Sequence, residues 1–121
     1  MVKELLVISK SKRLAVTIYS YTNEYLPKEE MYGLISQIRR CAVSVPSNLA
    51  EGQQRSDKDF KRFIQISRGS LSELKVQLEI SSEIYNHKDN PVIKYLLKDI
   101  DELQRMTYSL MLKLKSDNSK T

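Results

Sequence analysis

Residues 37–74, QIRRCAVSVPSNLAEGQQRSDKDFKRFIQISRGSLSEL, decide the fold. Ile38, Ala42, Val45 and Leu49 continue a spacing begun by Met31 and Ile35, an unbroken 4-3-4-3-4 rhythm that marks the seam of a bundle helix. Pro46 lies inside that rhythm. It removes one helical hydrogen bond and crowds the turn before it, but the stripe runs on to Leu49, so the spacing predicts a kink and not a stop. Gly52 reads as a left-handed cap that ends the helix. Ser56, with Asp59 three positions later and Phe60 next, reads as the N-cap of another helix. The stretch is one long helix, a tight corner and the start of a longer helix.

The chain outside this stretch fits the same pattern. Phe60, Phe63, Ile64, Ser67, Leu71, Leu74, Leu78, Ser81 and Tyr85 mark one face of a helix reaching about Asn86. That helix is about 45 Å long at the standard rise. Asn90-Pro91 reads as cap and first residue of a fourth helix, with Ile93, Leu96, Ile100, Leu103, Thr107, Leu110 and Leu114 at 3-4-3-4-3-4 spacing. Upstream, Val7, Leu14, Ile18, Tyr21 and Tyr25, with Ala15 alongside, mark a first helix that Leu26-Pro27 breaks. Pro27 suits the first position of helix two, with Glu29 and Glu30 against its N-terminal dipole. The expected helices are about 5–24, 28–52, 57–86 and 91–115, in one domain spanning 1–121, with a frayed polar tail over 116–121. Short connections make this all-α chain an up-down-up-down four-helix bundle.

Composition agrees. A chain of 121 residues, 40% hydrophobic and 29% charged, is long enough to bury a core. Three Gly and three Pro are too few for a turn-rich β sandwich or barrel. Cys41 stands alone, which excludes an intrachain disulfide and fits a reducing compartment; beside the seam of helix two it reads as a small buried hydrophobe. The start, MVKELLVISK, has too short an apolar run for a secretory signal, and no run approaches a membrane span. The expectation is a cytosolic protein with no membrane partner.

Helix three has two more faces. Opposite the core in its N-terminal half lie Lys58, Lys61, Arg62, Gln65 and Arg68, within an arc of about 120°. Arg55 at the corner, and Arg39 and Arg40 off the seam of helix two, join them. Seven cations in that arrangement suit a phosphate backbone, although a net charge of +5 also fits a solvated surface. No aromatic is interleaved on that face for base stacking, which favours charge or shape readout over single-strand sequence reading. Further along, the outer side turns apolar at Ile66, Gly69, Val76, Ile80 and Ile84. Either a neighbouring helix wraps round to cover it, or it is a contact between subunits; Gly69, which permits close backbone approach, favours the second.

Catalytic patterns are missing. His87 is the lone histidine, so the paired Glu-x-x-His motifs of a di-iron bundle cannot be assembled. Glu83 and His87 share a helix end, but two ligands make no metal site. A surface or capping role suits His87 better. No glycine-rich phosphate loop occurs, and no Arg shortly precedes His87 as in helical-bundle ribonucleases. Glu51, Glu73 and Glu83 read as caps or ion-pair partners. The expectation is no enzyme, no catalytic residue, no metal and no cofactor.

The motifs Tyr32-Gly33-Leu34, Gln37-Ile38-Arg39-Arg40, Ala42 to Gly52 (AVSVPSNLAEG), Arg68-Gly69-Ser70-Leu71, Glu73-Leu74 and Gln77-Leu78 resemble one bacterial family. It is the four-helix-bundle family encoded in intervening sequences of large-subunit ribosomal RNA genes, which includes relatives of the accessory variability determinant of diversity-generating retroelements. The resemblance covers roughly residues 19–85. It implies a ring-like homopentamer with a basic surface and, for the retroelement relatives, binding of nucleic acid and of a reverse transcriptase. Cys41 stands where Ala is usual, Leu49 where Ile is usual, and Ser81-Ser82 where small apolar residues are expected. Together the readings give a non-enzymatic oligomer binding RNA or DNA through Arg39, Arg40, Arg55, Lys58, Lys61, Arg62 and Arg68. The alternative is a scaffold or accessory subunit that recruits a partner protein, such as a reverse transcriptase, through Val76, Ile80 and Ile84.

Overall fold

The computed structural model describes residues 2–114. Among them are four α-helices and no strand: α1 Val2–Tyr25, α2 Leu34–Gln53, α3 Asp57–Ile84 and α4 Pro91–Lys113, with a short 3-10 turn at Lys28–Glu30. α1 packs against α2 and α4, α2 against α3, and α3 against α4, the cyclic neighbour pattern of an antiparallel bundle. Side-chain bonds fix the directions. Lys3 meets Ser109 and Lys10 meets Asp99, so α1 and α4 run oppositely. Arg39 meets Thr22 and Gln53 meets Glu4, so α1 and α2 do too.

The seams form the core. Leu14, Ile18, Tyr21, Ile38, Leu49, Ile64, Leu71, Leu74, Leu78, Leu96, Ile100 and Leu103 are fully buried, and each contributes about 1.5–3 kcal/mol of transfer free energy. Some polar groups inside are partnered, Thr107 by the Leu103 carbonyl and the buried Asp99 by Lys10, whereas Arg68 Nε, Gln77 Oε1 and Gln104 Oε1 are buried without a hydrogen bond among the described residues. α2 and α3 pack most closely of all the pairs, because small residues face each other there. Ser44 bonds Ser70, and the Ser67 hydroxyl donates to the Val45 carbonyl at 2.9 Å, one residue before Pro46. Pro46 is buried inside α2, and the helix continues past it for seven residues, as the stripe through Leu49 required.

Two caps stand as read. The Ser56 hydroxyl accepts from the Asp59 amide at 3.3 Å, and the Asn90 side chain accepts from the Val92 amide at 2.7 Å with Pro91 in the first turn. Other boundaries move. α1 begins at Val2, and α3 ends at Ile84, where Asn86 takes a left-handed φ of 60° and the His87 amide returns to the Ser82 carbonyl. That is the six-to-one bond of a Schellman ending. The expected tail at 116–121 lies outside the described residues.

Helix two needs the largest correction. It starts at Leu34 and not at Pro27, which instead leads into the 3-10 turn. Gly33, at φ −116° and ψ −111°, interrupts the helical backbone, and Glu30 caps the new start by accepting from the Leu34 amide at 3.2 Å. Met31 is therefore exposed and off the seam. Gly52 is also not a left-handed cap. It lies inside α2, buried, where an added Cβ would stand 2.6 Å from Phe63 Cβ and 2.9 Å from Phe60 Cδ1. Its role is to let α3 approach.

Candidate nucleic-acid interface

The corner after Gln53 is tight because Gln54 stays near helical geometry and the Arg55 amide bonds the Gly52 carbonyl; Ser56 then opens α3 at once. This brings Arg55, Lys58, Lys61 and Arg62 to one end of the bundle. Arg55 lies on the same side as Glu51, donating to it from Nη2 at 2.6 Å and Nε at 3.1 Å. The pair agrees with the reading of Glu51 as an ion-pair partner, and Glu51 holds the Arg55 guanidinium above its ordinary value.

The guanidinium groups lie on rings. Phe63, expected wholly on the inner face, is half-buried and carries Arg55 at 5.3 Å and Arg62 at 4.7 Å from its centroid. Arg68 lies over Tyr108 of α4 at 5.2 Å, and Arg39 over Tyr19 of α1 at 4.4 Å. Such contacts are worth about 0.5–1 kcal/mol at exposed sites and restrict the plane of the guanidinium.

The seven cations do not form one patch. Arg55, Lys58, Lys61 and Arg62 converge at the corner, and Arg68 continues the line along α3 toward α4. Arg39 stands about 20 Å back along α2 at the helical rise, and its Nε donates to Thr22 at 2.9 Å. It is a tie between α1 and α2. Arg40 opens onto a groove between α2 and α3 lined by Gln37, Cys41, Ser44, Ser70, Glu73 and Gln77. Cys41, expected to be buried, is half-exposed in that groove; burial pushes its thiol up, and Glu73 adds to the effect.

Lys3 and Lys113 join the basic end, a pair that sequence reasoning missed because they are 110 positions apart. Lys113 depresses the Lys3 amine, first by hydrogen bonding, and Lys3 donates to Ser109 at 2.8 Å. Dividing every helix at its midpoint exposes the larger pattern. The half containing the α2–α3 corner, residue 114 included, holds eleven Lys and Arg against five Asp and Glu, a net +6; the other half holds seven against nine, a net −2.

The opposite end is built differently. The buried Tyr21 hydroxyl lies 3.1 Å from Ser81 Oγ and 2.8 Å from His87 Nδ1, and the His87 ring meets Tyr21 and Tyr25 edge-on. Burial raises the Tyr21 phenol against the lowering effect of Ser81. The Tyr85 hydroxyl donates to Glu30, which pushes Tyr85 up to about 12 and holds Glu30 below its ordinary value. His87 thus caps α3 and closes an aromatic cluster. Among the described residues no group of three or more His, Cys, Asp and Glu is placed to hold a metal ion, and no helix is long and apolar enough to cross a membrane.

The outer stripe of α3 is bare. Ile66, Val76, Ile80 and Ile84 are 43–59% exposed, so no neighbouring helix among the described residues wraps round to cover them. An added Cβ at Gly69 would meet nothing within 4 Å.

Comparison with solved structures finds the same fold in a crystal structure at 1.70 Å of a protein of unknown function from the S23 ribosomal protein family of Bacteroides thetaiotaomicron VPI-5482. The TM-score is 0.77 at 21% identity, over 92% of this chain and 99% of that one. Comparison with curated proteins gives no match. The model of a family described as 23S rRNA-intervening sequence protein matches residues 3–109. With that match over most of its length, the chain belongs to the 23S rRNA-intervening sequence protein family.

Proposed function

We propose that this protein is a non-enzymatic, cytosolic oligomer that binds RNA or DNA through the basic end of its bundle. The division of charge along the axis carries the reading: the half of the bundle that contains the α2–α3 corner is net +6, while the far half is net −2. A phosphate backbone is the extended polyanion that suits such a pole, and its neutralisation releases counterions. The aromatic rings at that end are engaged by guanidinium groups, which supports backbone readout over base stacking. Arg55, Lys58, Lys61, Arg62 and Arg68 are the contact residues; Arg39 serves the fold, and Arg40 faces a separate groove. The test is titration of a structured RNA over a salt series. Saturable binding that weakens with salt and with Arg62→Glu is expected; no saturable binding at low salt would sink the reading.

The bare apolar stripe of α3 supports self-association, with the ring-like pentamer implied by the family resemblance as the expected form. Light scattering should give a multiple of the 14.1 kDa protomer, reduced by Ile80→Asp with Ile84→Asp. A monomeric wild type would contradict it. The same exposure favours one second reading, in which Val76, Ile80 and Ile84 recruit a partner protein such as a reverse transcriptase. Partner capture that survives nuclease treatment and is lost with Ile80→Asp would support that reading over nucleic-acid binding.

A further inference from the structure

Arg55 and Arg62 come from different elements, the interhelical corner and the second turn of α3, yet both rest on one phenyl ring. Their guanidinium carbons are 5.3 and 4.7 Å from the Phe63 centroid, so they lie within about 10 Å of each other. The base of the Phe63 side chain is packed against α2: a Cβ added at Gly52 would stand 2.6 Å from Phe63 Cβ and 3.2 Å from its Cγ. Glu51 holds one edge of Arg55 by accepting from Nε and Nη2, leaving the Nη1 donors unengaged. Arg62 makes no hydrogen bond or ion pair among the described residues.

From these contacts we propose that Phe63 is the platform of a two-arginine phosphate clamp, in which Arg55 and Arg62 together take a backbone phosphate of nucleic acid. Phe63 is a positioning residue that touches no phosphate itself. This assignment rests on the nucleic-acid reading and adds one thing to it: affinity depends on the ring and not only on the number of cations. A planar guanidinium laid on a ring loses less freedom when its edge donors engage an anion, so the clamp is organised before the ligand arrives.

The experiment is an anisotropy titration of a fluorescein-labelled 20-base-pair RNA duplex with the full chain, folding being checked by circular dichroism. Phe63→Leu keeps every charge and is expected to weaken binding about three- to tenfold, with the salt dependence little changed. Phe63→Tyr restores the ring and should restore affinity. Arg62→Lys keeps the charge but loses the planar fork, and should weaken binding to a similar degree, which decides the matter if Phe63→Leu fails to fold. Wild-type affinity in a folded Phe63→Leu, or in Arg62→Lys, overturns the clamp. If Arg55→Ala and Arg62→Ala weaken binding while Phe63→Leu does not, the corner still binds nucleic acid and only the platform is refuted. If neither arginine matters, the clamp and the reading it rests on fall together.

Discussion

The two ends of the bundle use similar residue types for opposite purposes. At the far end, Tyr21, Tyr25, Tyr85 and His87 meet through hydroxyl bonds and edge contacts, and Glu30 is bonded to both Tyr85 and the start of α2. The Tyr21 and Tyr85 hydroxyls there are bonded within the chain. At the α2–α3 corner, Phe63 offers no hydrogen bond, so it orients Arg55 and Arg62 without engaging their donors. The Tyr21 and Tyr85 hydroxyls tie the far end together, whereas the Phe63 ring has none with which to tie the corner. One end consolidates the fold and the other faces a ligand.

The largest expected effect breaks this contrast at the basic end. Lys61→Glu with Arg62→Glu should lower affinity for an RNA duplex about a hundredfold at ~0.1 M salt, yet change stability by no more than about 0.5 kcal/mol. Reversing Lys88 and Lys94 at the far end should leave affinity unchanged. Titrations of the two double variants, with thermal melts, check both statements.

Gly52→Ala comes next. Alanine gains about 1 kcal/mol of helix propensity, but its Cβ collides with Phe63 Cβ, an atom that moves only with the α3 backbone. Overpacking should win, with a net loss of about 1–3 kcal/mol in denaturant unfolding. Unchanged or raised stability would mean that α2 and α3 can separate freely at the corner.

Tyr21→Phe tests the far end. It leaves Ser81 Oγ and His87 Nδ1 without their shared partner and should cost about 1–2 kcal/mol with no loss of duplex binding. The smallest effect is pH-dependent. Tyr85 is pushed up to about 12 from 10.0, so its contribution is complete below pH 10.0 and lost as pH rises through about 12. Glu30 is held below 4.5, so its contribution is present above that pH and lost as pH falls through its lower folded value. The stability gap between wild type and Tyr85→Phe should therefore close at both extremes. A gap constant with pH would remove the Tyr85–Glu30 bond from the account.

Much of this was legible from periodicity. The seam of helix two from Ile35 to Leu49, those of helices three and four, the Ser56 and Asn90 caps and the apolar character of the outer stripe on α3 follow from residue spacing alone, because each is a property of a single helix. What escaped depends on a neighbour. Gly52 looked like a cap because the close approach of Phe63 is a tertiary fact. Glu30 looked like a dipole partner because its roles, capping Leu34 and accepting from Tyr85, need a 3-10 turn and the end of α3. The seven cations all stand outside the buried core, but which ones converge depends on the α2–α3 corner. Arg39 turned inward to Thr22 and Tyr19, whereas Lys3 and Lys113 joined the basic end from opposite termini of the helical region.

The polarity of the bundle is tested most directly by locating bound nucleic acid. A photo-crosslinking residue can be placed at Gln54, exposed at the corner, or at Asp89, exposed in the loop before α4. Each protein is then irradiated with a labelled RNA duplex at low salt. Crosslinks from position 54 and none from position 89 are predicted. Equal crosslinking at both positions, or crosslinking from position 89 alone, would contradict a binding face at the basic end.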